Sequence, residues 1–401
     1  MKIGIYGGTF NPIHQGHTQA ARFAAEYLGL DRLILIPAGI PPHKALAENG
    51  AESRHRLAMT ELAAGSMDCS CPVSVSDMEL TREGRSYTVD TLRQLREAYP
   101  EAQLYFLMGT DMFLTFHLWR QPEEIVKLCT LCAFGRTEAD TEELFAVQRQ
   151  FLREKFGADT VTVTLPKITD ISSTRLREQL AAGKGAEFLS PAVYGYILLH
   201  GLYGVHRDLK KLSGEELRCA ALAMLQPNRV AHVLGTEETA VRLALRYGAA
   251  VEDARQAALF HDCTKKLDRE HHLALLRQYG GKADEEELRE DALLHAPTGA
   301  AVAEQVFGVS AEVASAIRWH TTGRANMTLL EKIIWLSDYI EPTRRFCDLT
   351  ELRALAFIDL DRAVLQAMTM SVDHLEKKGM PVHPNSVFAR DHLKGILHEQ
   401  G

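Results

Sequence analysis

Short apolar runs alternate with segments of helical periodicity along the first half of the chain. Five runs read as β-strands, and they cover residues 2–6, 32–37, 104–108, 128–134 and 160–165. Strands that alternate with helices predict an α/β fold, a doubly wound parallel sheet with helices on both faces. Ligands of such sheets bind beyond the carboxyl ends of the strands, so the residues that follow each run are candidates for a site.

The pattern beyond the first half is helical to the end of the chain. A length of 401 residues suggests two domains. We predict an α/β domain over residues 1–203 and an all-α domain over 204–401. A hydroxyl or acidic residue followed three positions later by Glu or Gln predicts helix starts in the second domain at Ser213, Asp253 and Thr328.

Composition excludes several classes of function. The formal net charge of −8 is shared about equally by the two halves, which predicts no nucleic-acid partner. No apolar run approaches the roughly 20 residues that cross a bilayer, so we expect no membrane partner and a cytoplasmic location. The seven cysteines predict reduced thiols, since they show no framework spacing. Cys129 and Cys132 are expected to be core thiols on opposite faces of a strand.

The first apolar run leads into a glycine turn, Gly7-Gly8-Thr9-Phe10-Asn11-Pro12-Ile13-His14-Gln15-Gly16-His17. The glycines allow the backbone N–H groups to approach a bulky anion, and a helix is predicted to follow. His14 and His17 stand one helical turn apart, so both imidazoles can donate to the same phosphate. A glycine turn with two solvated histidines is the alternative, and the eleven-residue context argues against it. The stretch predicts a site for phosphate transfer.

The glycine turn resembles the signature of the nicotinate-nucleotide adenylyltransferases. Pantetheine-phosphate adenylyltransferases share part of it, usually with a different residue at His14, and are the near alternative. A second string, Ile171-Ser172-Ser173-Thr174-Arg175-Leu176-Arg177, predicts a capped helix start with two arginines and resembles the same family's I-S-S-T-x-I-R. The resemblance covers residues 1 to about 203. It implies a Rossmann-like nucleotidyltransferase that transfers AMP from ATP to nicotinate mononucleotide, giving nicotinate adenine dinucleotide and pyrophosphate.

The resemblance also implies the residues of the transferase site. The expected ATP-binding residues are Gly8, Thr9, Phe10, His17, Gly109, Asp111, Ile171, Ser173, Thr174 and Arg177. The expected catalytic residues, which would position and neutralise phosphates together with Mg²⁺, are His14, His17, Lys44 and Arg177. The attack would be in line, without a covalent enzyme intermediate.

A third set of residues is expected to bind nicotinate mononucleotide. Lys44, in the stiff loop Pro41-Pro42-His43-Lys44, would neutralise phosphate. The helix start at Tyr87 and Thr88 would receive the pyridine carboxylate on backbone N–H groups. Trp119 would stack on the pyridine ring, with a core tryptophan as the alternative.

The second half carries an ordered series of histidines and aspartates. The series is His232, His261-Asp262, His295, His320 and Asp338. Imidazoles and carboxylates from several helices can share a metal ion. The series resembles the HD-superfamily phosphohydrolases. The strings 261–265, 320–324 and 382–385 resemble, within that superfamily, the YqeK-like symmetrical diadenosine-tetraphosphate hydrolases.

This second resemblance covers roughly residues 212–397 and implies a metal-dependent hydrolase. Iron or manganese would lower the pKa of a bound water. The favoured single-metal set is His232, His261, Asp262 and Asp338. His295 and His320 would hold a second metal or meet phosphate oxygens. Lys265, Thr321 and Arg344 are expected to contact the substrate.

Two alternatives remain for the second half. It is either a nucleotide-sensing module without hydrolytic activity, or a hydrolase of another nucleotide such as a guanosine alarmone, a cyclic dinucleotide or a deoxynucleotide. The favoured partners are ATP, nicotinate mononucleotide and dinucleoside polyphosphates. A homo-oligomer is compatible with the sequence.

Overall fold

The structure is a computed structural model, and it describes residues 1–40, 49–135, 141–163, 169 and 171–399. The internal contacts divide the chain into two compact units, Met1–His206 and Arg207–Gly401. Within the described ranges, no helix combines the length and the apolar character needed to cross a membrane.

The described part of the first unit contains one parallel sheet of six strands in the order β3-β2-β1-β4-β5-β6. The strands are β1 (Lys2–Gly8), β2 (Arg32–Pro37), β3 (Val73–Val75), β4 (Gln103–Gly109), β5 (Thr130–Phe134) and β6 (Thr160–Val163). The doubly wound α/β prediction is confirmed. Strand β3 was missed because three residues are too short to show an alternating pattern. The predicted run 128–134 starts too early, since a helix continues to Leu128.

Helices pack on both faces of this sheet. They are α1 (Gln15–Leu28), α2 (Ser53–Gly65), α3 (Thr88–Ala98), α4 (Thr110–Leu114), α5 (Pro122–Leu128), α6 (Glu142–Phe156), α7 (Ser173–Ala181) and α8 (Pro191–His200). Cys132 belongs to the core on one face and Cys129 to the core on the other. Both are free thiols whose pKa burial raises to about 12, so the prediction of core thiols is confirmed. Only Cys132 lies on β5, however, because Cys129 is the C-cap of α5, just before the strand begins.

The strand order places a crevice between β1 and β4. Chain order runs outward from β1 through β2 to β3 on one side and from β4 to β6 on the other. The carboxyl ends of β1 and β4 therefore flank the point where the strand order reverses, which is where such sheets bind ligands.

The described part of the second unit contains helices and no strand, which confirms the all-α prediction. The helices are α9 (Gly214–Met224), α10 (Val230–Tyr247), α11 (Val251–Phe260), α12 (Arg269–Tyr279), α13 (Glu285–Arg289), α14 (His295–Phe307), α15 (Ala311–Trp319), α16 (Leu329–Ile340), α17 (Thr350–Ala356), α18 (Leu360–Lys377) and α19 (Pro384–Glu399).

Two of the three predicted helix starts in this unit are correct. Ser213 and Thr328 each form a capping box with the Glu three residues on. The predicted start at Asp253 is wrong, because α11 begins at Val251 and Asp253 lies in its first turn. The helix dipole favours an acidic residue in the first turn of a helix. Asp253 is such a residue, and with Gln256 three positions on it shows the spacing of a capping box although it lies inside the helix.

Candidate active sites

A cavity of about 410 Å³ opens at the carboxyl ends of β1 and β4. Its walls come from the turn after β1, the end of β4 and the start of α3. The predicted residues that line it are Thr9, His17, Tyr87, Thr88, Gly109, Asp111 and Trp119. The structure thus brings together, at the reversal point of the sheet, residues from four separate segments of the sequence.

His14 and His17 form the start of α1. The ring centroids lie 3.8 Å apart, and His17 lines the cavity while His14 is buried. The His14 backbone N–H donates to His17 Nδ1 at 3.3 Å. In the neutral imidazole the proton then resides on Nε2, which makes that atom a donor for an anion. Phe10 is buried and packs edge-on against the His17 ring at 5.2 Å, so it supports His17 from below.

The two sequence motifs of the first unit are in direct contact. Ser172 caps α7 by accepting from the Arg175 N–H at 3.2 Å. Ser173 Oγ donates to the Pro12 carbonyl at 3.1 Å. The buried Arg177 guanidinium donates to the Asn11 carbonyl at 2.8 Å. The start of α7 is therefore fixed to the glycine turn across some 160 residues of sequence.

Several predicted ATP-binding residues do not line the cavity. They are Gly8, Phe10, Ile171, Ser173, Thr174 and Arg177. Arg177 additionally donates to Asn49 Oδ1 at 3.1 Å and to Thr174 Oγ1 at 3.4 Å, so its described contacts are with protein acceptors. Their nucleotide-binding roles stay predictions. Lys44, with the rest of its proline loop, lies outside the described residues.

Two charged residues of this cavity were missed by sequence reasoning. Glu79 and Arg120 both line it. Burial raises the pKa of Glu79, whose Oε1 accepts from Thr91 Oγ1 at 2.7 Å. The Arg120 guanidinium lies 4.4 Å from the centroid of the Tyr87 ring. A single acid or arginine outside a motif gives no sequence signal.

The second unit brings four imidazoles and two carboxylates together. His232 lies on α10, His261 and Asp262 follow α11, His295 begins α14, His320 follows α15 and Asp338 lies on α16. His232 Nε2 is 3.2 Å from His261 Nε2 and 3.0 Å from Asp338 Oδ1. His295 Nε2 is 3.1 Å from His320 Nε2. All six residues singled out from the sequence meet in one cluster.

Asp262 faces both pairs of imidazoles. Its Oδ2 lies 3.7 Å from His232 Nε2 and 3.6 Å from His261 Nε2. Its Oδ1 lies 3.3 Å from His295 Nε2 and 3.9 Å from His320 Nε2. This carboxylate is fully buried between the two groups, so it is placed to be shared by two neighbouring cations.

The outer nitrogen of every imidazole in the cluster has an acceptor. Three of them, Nδ1 of His261, His295 and His320, face backbone carbonyls at 2.6–2.7 Å. His232 Nδ1 faces Glu341 Oε1 at 3.0 Å. Because these oxygens accept only, each Nδ1 carries the proton and each Nε2 lone pair points into the cluster. Four lone pairs and two carboxylates that face one another form a donor set for a cation.

Four groups of the cluster, His261, His320, Asp262 and Asp338, have pKa values below their usual range. Burial, together with His295, lowers the pKa of His320 well below its usual value. Burial also lowers the pKa of His261. For Asp262, burial raises the pKa, but His261, His295 and Lys265 outweigh it and hold that pKa well below its usual range. A lowered pKa favours the neutral imidazole of His261 and His320 and the ionised carboxylate of Asp262, which are the forms that coordinate metals.

Three cations surround the carboxylates. Lys265 Nζ lies 3.1 Å from Asp262 Oδ1, and Arg229 contacts Asp262 Oδ2. Arg344 Nη2 lies 2.5 Å from Asp338 Oδ1. Lys265 and Arg344 were expected from the sequence, whereas Arg229, just before α10, carries no motif and was missed. Thr321 Oγ is buried and has no hydrogen-bond partner in the part of the chain that the structure describes.

Comparison with known proteins finds one family match in each of the two units of the chain. The cytidylyltransferase-like family model matches residues 5–179, and the HD-domain model matches residues 229–343. A probable nicotinate-nucleotide adenylyltransferase of Gloeobacter violaceus is 42% identical over 209 residues, which are 51% of this chain and 97% of that protein. One of Neisseria meningitidis serogroup C is 36% identical over 202 residues, which are 50% of this chain and 98% of that protein.

The chain belongs to the nicotinate-nucleotide adenylyltransferase family. The relatives of that family cover about half of this chain, and the HD-domain match lies beyond the cytidylyltransferase-like one. All six members of the His/Asp cluster fall within the HD-domain match. One similar crystal structure is from Clostridium acetobutylicum and is described as a predicted HD superfamily hydrolase involved in NAD metabolism. The sequences are 39% identical, and the match covers 46% of the present chain and 98% of the Clostridium chain with a TM-score of 0.44.

In this adenylyltransferase-family chain, Glu341 fixes the orientation of the His232 imidazole through the ring nitrogen that faces away from the cluster. It is fully buried, and its carboxylate accepts from His232 Nδ1 and from the Thr343 backbone N–H at 2.6 Å. A Cβ at Gly235 would lie 2.5 Å from Glu341 Oε2, so the glycine makes room for the carboxylate. Sequence reasoning missed Glu341, which meets His232 across 109 residues.

Glu341→Gln is expected to lower the affinity for a divalent cation by about 10-fold, within the 10–100-fold range typical of such outer partners. The neutral amide binds the His232 Nδ1–H less strongly and permits a second ring orientation. Equilibrium dialysis with Mn²⁺ measures the effect. Glu304→Gln, on the exposed side of α14, is the matched control. Equal affinities in both variants would contradict the orienting role.

Proposed function

We propose that the chain is a bifunctional enzyme. The first unit transfers AMP from ATP to nicotinate mononucleotide, giving nicotinate adenine dinucleotide and pyrophosphate. The second unit hydrolyses diadenosine tetraphosphate symmetrically to two ADP. The observation that carries the first activity is the cavity at the reversal point of the sheet, which combines His17, Trp119 and the start of α3.

The transferase residues act by position and charge. The phosphate of nicotinate mononucleotide attacks the α-phosphorus of ATP in line, and pyrophosphate leaves. His17 Nε2 donates to the α-phosphate, where negative charge grows in the transition state. Mg²⁺ that enters with ATP would supply further charge neutralisation. Asp111, exposed at the mouth of the cavity, accepts from ribose hydroxyls.

Nicotinate mononucleotide is expected to show a kcat/KM about 10-fold or more above that of nicotinamide mononucleotide. The first N–H groups of α3 present positive potential to the pyridine substituent, which favours a carboxylate over an amide. Glu79 lines the same cavity and opposes this preference to the extent that it is ionised, and burial raises its pKa. Steady-state assays with both nucleotides test the assignment, and comparable values would refute it.

The donor set of the second unit fits iron or manganese. Mixed imidazole and carboxylate donors suit these ions, whereas a structural zinc site would favour thiolates. The residues that would hold the ions are His232, His261, Asp262, His295, His320 and Asp338. When bound, the cations would supply Lewis acidity that lowers the pKa of a water molecule. The two-sided position of Asp262 supports two cations in place of the single-metal set expected from the sequence.

The cations around the cluster indicate the charge of the substrate. Arg229, Lys265 and Arg344 rest on carboxylates that a metal ion would neutralise. These side chains are then placed to bind phosphate oxygens. A dinucleoside polyphosphate offers a run of phosphates that meets both the metal ligands and the three cations.

The product pattern separates this proposal from its alternatives. A sensing module would bind diadenosine tetraphosphate without consuming it. A hydrolase of guanosine alarmones, cyclic dinucleotides or deoxynucleotides would prefer those compounds in a panel assay. Chromatography of the full chain with diadenosine tetraphosphate is expected to show ADP alone, whereas attack at an outer phosphate gives AMP and ATP.

A further inference from the structure

Arg120 holds a charged position in the transferase cavity that no sequence motif assigns. It follows Trp119 directly, and both residues line the cavity. The guanidinium carbon lies over the Tyr87 ring, 4.4 Å from its centroid, which is within the range of a cation–π contact. Tyr87 is the residue that precedes α3, so the guanidinium stands at the same end of the cavity as the start of that helix.

The backbone around Arg120 is well fixed. Trp119 packs edge-on against Phe106 at 5.9 Å between centroids. Gln121 adopts a left-handed conformation with φ 54°, and Pro122 then begins α5. The Gln121 side chain accepts from Arg93 Nη2 at 3.4 Å. This turn therefore positions two neighbouring side chains at the cavity. Trp119 contributes an apolar wall, and Arg120 contributes a positive charge.

The positive charge of Arg120 has no compensating partner among the described residues. No ion pair joins it to a carboxylate in those ranges. The acidic residues that line the same cavity are Glu79 and Asp111. Glu79 is occupied by Thr91 Oγ1 at 2.7 Å, and burial raises its pKa. The cavity thus presents a guanidinium beside an aromatic wall, which is a combination that recognises a flat ring with an anionic substituent.

We propose that Arg120 is a specificity-determining residue, whose guanidinium pairs with the anionic substituent of the ring that stacks on Trp119. This inference rests on the proposed transferase function. The Arg120 side chain is exposed, and its N–H groups can donate to a carboxylate with a charge-assisted hydrogen bond while the guanidinium stays over Tyr87. A carboxamide accepts through one oxygen only and brings no charge, so Arg120 strengthens the binding of the acid far more than that of the amide.

The test is Arg120→Gln in the full chain, assayed with nicotinate and nicotinamide mononucleotides. The variant is expected to lose about 10-fold in kcat/KM for the acid. The loss should lie in KM, because the ring substituent is remote from the reacting phosphorus and binds alike in the ground and transition states. The amide should change by less than about 3-fold, so the acid-to-amide ratio falls. Calorimetric binding of both nucleotides gives the same ratio without turnover.

Two further variants separate recognition from structure. Arg120→Lys keeps the charge without the planar stack and should recover part of the acid preference. Arg153→Gln, exposed on α6 outside the cavity, removes an equal charge and should leave the ratio unchanged. Equal losses for acid and amide in Arg120→Gln, or an unchanged ratio, would overturn the inference. A wild-type chain that forms no nicotinate adenine dinucleotide would instead overturn the proposed function, while the binding ratio would still decide the role of Arg120.

Discussion

Replacing His17 by alanine is expected to lower kcat for adenylyl transfer by about 10²–10³-fold, the typical effect of removing one positioned donor at a developing oxyanion. His17 lines the cavity, and the His14 backbone N–H occupies its Nδ1, so Nε2 is the donor. Because negative charge on the α-phosphate grows only as the reaction proceeds, the effect should fall on kcat. The affinity for ATP, measured by calorimetry, should change only a few-fold.

His374→Ala provides the control for the His17 variant. This histidine is exposed on α18. A thermal melt of each variant checks that the fold survives, which matters because His17 packs against Phe10 and His14. A His17 variant with a wild-type melt and a kcat within a few-fold of wild type would show that the histidine is structural.

The double variant His261→Ala, Asp262→Ala is expected to abolish cation binding and the hydrolysis of diadenosine tetraphosphate. Asp262 offers one oxygen to each imidazole pair, so its loss removes a ligand from both groups at once. Each of the two groups then keeps only two ligands, His232 with Asp338 and His295 with His320, which are too few to hold a divalent ion. Without the ion, water keeps its high pKa near pH 7. Metal content by mass spectrometry and nucleotide chromatography measure the two losses.

The control for this variant is Asp373→Ala, His374→Ala. Asp373 and His374 are adjacent in sequence and exposed on α18, and both lie outside the cluster. Helix content by circular dichroism should be retained in both double variants, since the apolar faces of the helices are untouched. Hydrolysis that persists without bound metal would show that the cluster is not the hydrolytic site.

The sequence predicted the parts of each site that carry a local pattern. The glycine turn and the string around Arg177 marked the first site, and the ordered histidines and aspartates marked the second. Local patterns also gave the sheet, apart from β3, whose three residues are too few to show alternation. They misplaced the start of α11, because the acidic first turn imitates a capping box.

Contacts between distant segments could not be predicted in this way. Glu341 meets His232 only because α10 and α16 pack side by side. Arg56, fully buried, donates to the Thr9 carbonyl at 2.8 Å and to the Ala38 carbonyl at 2.7 Å, and so ties the ends of β1 and β2 together. A lone arginine or glutamate has the same appearance in sequence whether it lies in solvent or in a site.

The two proposed activities require two chemically independent nucleotide sites on one chain. This independence is tested by assaying the His17 variant and the His261/Asp262 double variant for both reactions. The first variant should lose adenylyl transfer and keep hydrolysis, while the second should lose hydrolysis and keep adenylyl transfer near the wild-type rate. If either variant, with its fold intact, loses both activities or neither, the claim of two independent sites is contradicted.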